Sequence, residues 1–209
     1  QLGNAIVIAT TTQDVTISPG DQVNTFTTNC LQYIFSDLWE TVLNLPEERS
    51  IIKGHLLTTL PILGMEWRVS HEFRPTDYSN SGWTNSIHLT TGGDNHQYGY
   101  RTPAVTFHPS KGMQVTAAVN GVYNCHIDFM SKRPVLDAWT TISISQEMSG
   151  EKYFYKIIIG EEQVYSVENH QPQEFRDVKV YASDPWHTPV PGQIRAFKIQ
   201  TKTHKEGEF

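Results

Sequence analysis

The segment Gly92-Gly93-Asp94-Asn95-His96-Gln97-Tyr98-Gly99-Tyr100-Arg101 gathers a carboxylate, an amide, an imidazole, two aromatic rings and a guanidinium within ten residues. Flat rings stack on the apolar face of a pyranose, while Asp94, Asn95 and Arg101 can exchange hydrogen bonds with hydroxyls, so this set of types suits sugar recognition. The competing reading is a glycine-rich connection whose polar groups satisfy its own backbone. Two further stretches have the same character. One is Asp77-Tyr-Ser-Asn-Ser-Gly-Trp83-Thr-Asn85, and the other is Asp184-Pro-Trp186-His187. Trp83 and Trp186 are the aromatics expected to be exposed as stacking platforms, although Trp186, following Asp-Pro, could equally plug one end of a core. The candidate ligand-binding set is therefore Trp83, Asn85, Asp94, Asn95, His96, Tyr98, Tyr100, Arg101, Trp186 and His187.

Catalytic patterns are not found. Retaining glycosidases need two carboxylates about 5 to 5.5 Å apart, and no Glu-x-Asp-x-x-Glu or Glu-x-Asp-x-Glu strand occurs. Glu66 and Glu72 share a strand face but lie about 20 Å apart along an extended chain. There is no Gly-x-Ser-x-Gly, His-Glu-x-x-His or Cys-x-x-Cys, which removes the common signatures for a hydrolase nucleophile and for zinc. Polysaccharide elimination stays open, because it needs only a His or Tyr base beside an Arg or Asn. The expectation is a binding protein, not an enzyme. Nine histidines are spread along the chain. His88, His108 and His126 fall in the polar phase of their segments and are expected on a solvated strand face.

The elements that must position these loops read as strands. Trp139-Thr-Thr-Ile142-Ser-Ile144-Ser145, Trp67-Arg-Val69-Ser-His71-Glu-Phe73, Val105-Thr-Phe107, Val115-Thr-Ala117-Ala-Val119 and Ile127-Asp-Phe129 alternate with period two. Asn80-Ser-Gly82, Gly92-Gly93, Asn120-Gly121, Ser149-Gly150 and Pro191-Gly192 supply turns between them. Many short strands with such punctuation predict an all-β, two-sheet antiparallel sandwich. The inward set is predicted as Trp67, Val69, Phe73, Leu89, Val105, Phe107, Val115, Val119, Ile127, Phe129, Ile142, Ile144, Val178 and Val180.

The Trp139–Ser145 strand, the hairpin from Tyr153 to Val167, the Val178–Ala182 strand and the closing Ile194–Ile199 strand resemble the concanavalin A-like jelly-roll superfamily, with its laminin G-type, pentraxin and galectin-like domains. His88-Leu-Thr-Thr-Gly-Gly93, Arg101-Thr-Pro-Ala-Val105 and Tyr181-Ala-Ser-Asp-Pro-Trp186 look in particular like a class of secreted animal modules. The resemblance covers roughly residues 56 to 201 and implies a jelly roll whose loops collect at the rims. It also implies an extracellular, secreted setting. Relatives in that superfamily hold calcium with loop carboxylates and carbonyls, so calcium is the cofactor to consider, with Asp94 and Asn95 the nearest candidates and Asp77 and Asp184 behind them. The galectin sugar motif is not reproduced, His71-Glu-Phe-Arg74-Pro75 being only a distant echo of it.

Cys30 and Cys125 are the only cysteines, and the residues alone leave open a disulfide or two buried thiols. The extracellular resemblance favours the disulfide, which would close a long loop at a gain of roughly 4 to 5 kcal/mol.

At 209 residues, with a net charge of −6 and a pI near 5.8, the chain suits one sizeable core and lacks the basic patch that nucleic acid or anionic membrane demands. No window approaches a membrane-spanning apolar run, and the start lacks a signal-peptide pattern. No Asn-x-Ser/Thr sequon is present, so N-glycosylation gives no support for secretion. Expected partners are a glycan or an extracellular matrix component, or, in an adhesion role, further copies of the chain as a homo-oligomer.

One domain over 1–209 is expected, with residues 1–50 an N-terminal extension packed on the sandwich and 202–209 a flexible tail. Leu31, Ile34, Phe35, Leu38, Trp39, Val42 and Leu43 fit helical spacing between Asn29 as cap and Pro46 as stop, which predicts one short amphipathic helix.

Overall fold

Period-two runs of β-branched and aromatic residues can bury one face only by stacking sheet on sheet, and the chain does so. The computed structural model describes residues 39–110 and 112–202, which form one unit. In chain order the strands are β1 (Glu40–Leu45), β2 (Arg49–Ser50), β3 (Leu56–Leu63), β4 (Glu66–Pro75), β5 (Thr84–Thr90), β6 (Ala104–His108) and β7 (Gly112–Val119). They continue as β8 (Val122–Phe129), β9 (Thr140–Ser149), β10 (Lys152–Ile159), β11 (Glu162–Asn169), β12 (Phe175–Tyr181), β13 (Thr188–Pro189) and β14 (Gly192–Lys202). Sheet one runs β1-β14-β4-β9-β10-β11 with β2 beside β14. Sheet two runs β3-β12-β5-β6-β7-β8, with β13 lying parallel to β5. All other pairings are antiparallel. The result is an antiparallel two-sheet sandwich of jelly-roll type.

The core between the sheets carries the predicted phase. Trp67, Val69 and Phe73 from β4 and Ile142 and Ile144 from β9 face Val105, Phe107, Val115, Val178 and Val180 from sheet two, all buried. Phe73 and Phe107 meet across the layers with ring centroids 5.0 Å apart. Ile127 is the exception, only partly buried, because β8 is the edge strand of its sheet and has a neighbour on one side alone.

The helix expected near residue 40 is a strand instead. Glu40–Leu45 pairs with β14 from Thr201 to Phe197, and its Val42 and Leu43 pack against the core. Thr41 and Val42 are β-branched, and the open edge of β14 offers backbone partners that a helix would leave unused. Residues 29–38 of the expected helix lie outside the described residues. Of the expected extension 1–50, residues 40–45 and 49–50 are strands of sheet one, and residues 1–38 lie outside the described residues; of the expected tail, Lys202 closes β14 and the rest lies outside. Cys125 on β8 is a free thiol, and burial pushes its pKa up. Its expected disulfide partner Cys30 lies outside the described residues.

Candidate functional site

Sheet two departs from plain alternation. In β5 and β7 every residue is buried, so over these central strands the outer face is covered as well as the inner one. The cover is two loops stitched to the sheet by main-chain bonds. In the 91–103 loop, Thr102 N donates to Leu89 O at 2.9 Å and the Arg101 carbonyl accepts from Ala118 N at 3.0 Å. In the 182–190 loop, Ser183 N donates to Ser86 O at 2.8 Å and Val190 N to Asn85 O at 3.0 Å. Glycine makes the first loop fold so tightly: a Cβ on Gly93 would stand 2.4 Å from Cε2 of Tyr100, and Gly99, at φ +89°, sits against Phe175. Any larger residue would push the Tyr100 ring from under the turn.

Between the loops and the outer face lies a cavity of about 300 Å³. Its floor is Thr106, Gln114, Asn124 and His126, which are outward positions on the consecutive strands β6, β7 and β8. Its walls are Trp83, Asp94, Asn95, Arg101 and His187. Two floor and wall atoms, Thr106 Oγ1 and Asn95 Oδ1, are buried with no hydrogen-bond partner. Thr106 itself is only 2 % exposed.

A polar network behind the cavity fixes its walls. Arg101 donates from Nε to Asp94 O at 3.1 Å, from one Nη to Asp94 Oδ1 at 2.8 Å and from the other to Asn124 Oδ1 at 2.9 Å. His88, 0 % exposed, has Nδ1 2.7 Å from Asp184 Oδ2 and Nε2 2.6 Å from the Tyr100 carbonyl oxygen, so it ties the two loops together. Asp184 Oδ2 also meets His187 Nδ1 at 2.9 Å, and its Oδ1 accepts from the amides of Trp186 and His187. Burial would raise the Asp184 pKa, but hydrogen bonds from His187 and His88 outweigh it and hold the carboxyl well below the usual carboxylate range. In return, the bond to Asp184 pushes the His187 pKa up, against burial and with help from Asp94.

Of the sequence-derived candidates, Trp83, Asp94, Asn95, Arg101 and His187 converge on the cavity. The others are placed elsewhere. Asn85 is fully buried, bonding Ile87 O and Val105 O while accepting from Asp184 N. His96 is exposed outside the lining. Tyr98 packs on Phe175 at 5.9 Å and donates to Gln171 O. Tyr100 lies beneath the Gly92-Gly93 turn. Trp186, 41 % exposed, leans on His88 at 5.3 Å and Tyr181 at 6.4 Å, beside the cavity and not within its lining.

His88 overturns its solvated-face expectation, because covering loops bury the outer position it occupies. His126 stays exposed on the edge strand, and His108 is intermediate, its ring 4.9 Å from that of Trp83. Thr106, Gln114 and Asn124 were missed. Their signal was present as the polar half of the alternation on three successive strands, but nothing local said which polar face would be roofed. Asp184, considered only as a more distant calcium ligand, instead anchors the loop behind the wall.

Ligand atoms of His88, Asp94 and Asp184 lie within 4.8 Å of one another. Calcium takes six to eight oxygens, whereas this set offers two carboxylates, already engaged by Arg101 and by two histidines, and an imidazole. The His88, Asp94 and Asp184 set therefore does not make a calcium shell.

No family model and no curated protein matches the chain. Among solved structures, the chain is similar to the Ruminococcus gnavus IT-sialidase CBM40 bound to α2,3-sialyllactose, at 10 % identity and TM-score 0.48, over 78 % of this chain and 94 % of that one. It is also similar to domain 4 of AbnA, a GH43 extracellular arabinanase from Geobacillus stearothermophilus in complex with arabinotriose, at 14 % identity and TM-score 0.44, over 69 % and 66 %. Sheep galectin-11 aligns at 10 % identity and TM-score 0.34, over 66 % and 91 %. Likeness of this degree carries no argument about a ligand.

Proposed function

We propose that the protein is an extracellular, non-catalytic carbohydrate-recognition module whose ligand occupies the cavity over sheet two. The observation that carries this reading is a cavity lined by Trp83, Thr106, Gln114, Asn124, Asn95 and Arg101, two of whose lining residues, Thr106 and Asn95, hold buried polar atoms without a partner. A hydroxyl-rich ligand supplies donors and acceptors to such atoms and an apolar face to such a ring. The cavity volume falls at the lower end of small-ligand sites, which suits one or two sugar residues.

A glycan array is the direct test. Binding by the wild type that is lost in Thr106→Val and Trp83→Ala, both still folded by circular dichroism, supports the reading. A blank array with tight capture of a matrix protein would replace it with the adhesion reading.

One observation favours a second reading. His187, bonded to Asp184 behind the wall, lines the same cavity as Arg101 and Asn124, which is the base-and-neutraliser set that polysaccharide β-elimination requires. Ultraviolet absorbance of an unsaturated product, formed from a polyuronate by the wild type and not by His187→Gln, would establish that activity.

A further inference from the structure

Resting on the saccharide reading above, we propose that the cavity selects sugars carrying a carboxylate, seated against Arg101, Asn124 and His187. The basis is which polar groups around the cavity are already committed. Sites for neutral sugars commonly leave a carboxylate open to accept hydroxyl protons. Here the acidic wall residue is Asp94, and Arg101 holds its Oδ1. Asp128, beside the floor, receives Gln114 Nε2 at 2.7 Å, and Asp184, behind the wall, receives both histidines and two amides.

The donors are less committed. A guanidinium has five N–H groups, and Arg101 directs three of them to Asp94 and Asn124. Asn124 Oδ1 accepts from Arg101, which turns the Asn124 amide NH₂ away from that partner. His187 binds Asp184 through Nδ1, leaving Nε2 as its outward nitrogen, and His126 directs Nδ1 to the Asn124 carbonyl. A wall rich in N–H groups, with its carboxylates neutralised, matches an oxyanion through charge-assisted bonds.

Asn95 Oδ1 narrows the class further. It is a buried acceptor without a donor on a lining residue, so a ligand that presents a hydroxyl beside the acid, as a sugar acid does, suits the wall better than a bare inorganic anion. Around His187 the charged and titratable groups are Asp184 on its own loop, Asp94 and Arg101 on the facing loop, His88 on β5 and His126 on β8. The first two keep it cationic to higher pH, which reinforces the anion preference.

The test is a panel of matched glycans, each as the free uronate, as its methyl ester and as a sulfated neutral analogue, measured by calorimetry against the whole chain. The uronates are expected to bind at least about tenfold more tightly than their esters, with the advantage shrinking as salt rises, and His187→Gln is expected to reduce it several-fold. Equal binding of ester and acid overturns the carboxylate assignment while leaving the saccharide reading standing. Preference for the sulfated forms overturns it in favour of a sulfate. No binding to any form removes the saccharide reading and the inference with it.

Discussion

On the outer face of sheet one, Arg68 meets Glu147 at 2.6 Å and Arg195 meets Glu72 at 2.5 Å, with Arg68 stacked 3.9 Å over Trp39 and Arg195 4.2 Å over Trp139. These pairs remain partly in water. On the outer face of sheet two, Ser86, His88, Thr90, Thr106, Gln114 and Thr116 occupy the corresponding alternate positions, and all are buried. Long charged side chains suit the first face, because a wet salt bridge gains little but costs little. Short hydroxyls, amides and imidazoles suit the second, because each can be satisfied by a backbone or side-chain partner once a loop covers it. The two faces therefore differ in what polar residues are for: solubility on one side, a built and partly unsatisfied cavity on the other.

The largest expected effect breaks the covered face. Asp184→Ala removes the acceptor shared by His88, His187 and two amides, leaving buried polar groups uncompensated. A loss of about 3 to 5 kcal/mol is expected, measured by urea unfolding, together with loss of ligand binding. A cost under about 1 kcal/mol would mean that the network is not what holds the two loops.

The next contrast sets two histidines against each other. His71, in the core phase of β4, is pushed down by burial to about 3, and neither of its ring nitrogens has a partner. Its unfolded form binds a proton that its folded form refuses, so stability is lost as pH falls below 6.5, by about 2 kcal/mol at pH 5. His71→Leu should flatten that slope in acid-unfolding curves. The raised pKa of His187 works with the opposite sign: its contribution is present below the ordinary histidine pKa and is lost as pH rises through the elevated one. His187→Gln should therefore remove a loss of stability on the alkaline side and leave the acid limb unchanged.

Trp83→Ala sharpens the comparison at the cavity, with a loss on the order of 2 kcal/mol in glycan affinity and little change in unfolding midpoint. The smallest effect belongs to the open face. Arg68→Ala is expected to cost below about 1 kcal/mol of stability and to leave ligand affinity untouched. A binding defect in Arg68→Ala would place the site on the wrong sheet.

Most strands and the inward phase were legible in the chain, because a period of two with turn residues between runs has no other compact solution than stacked sheets. Trp67, Val69, Phe73, Ile142 and Ile144 could be placed on the core without coordinates for that reason. The segment around Glu40 could not, since its apolar spacing serves a helix and a strand alike and only the vacant edge of β14 chooses between them. Five wall residues could be picked from their loops, because Trp, Asp, Asn, Arg and His close together are costly to leave idle.

The floor was decided elsewhere. Thr106, Gln114, Asn124 and His126 come from three strands, and although their types differ from the charged outward residues of sheet one, no local pattern says that a loop will cover them. Their distinction arises when Gly93 and Gly99 let one loop fold flat and Asp184 pins the other against His88. Residue types and alternation determined that there would be two sheets with polar outer faces and reactive loops. Which face became a cavity depended on long-range contacts between positions about a hundred residues apart, and burial is a property of those contacts, not of the residues that experience it.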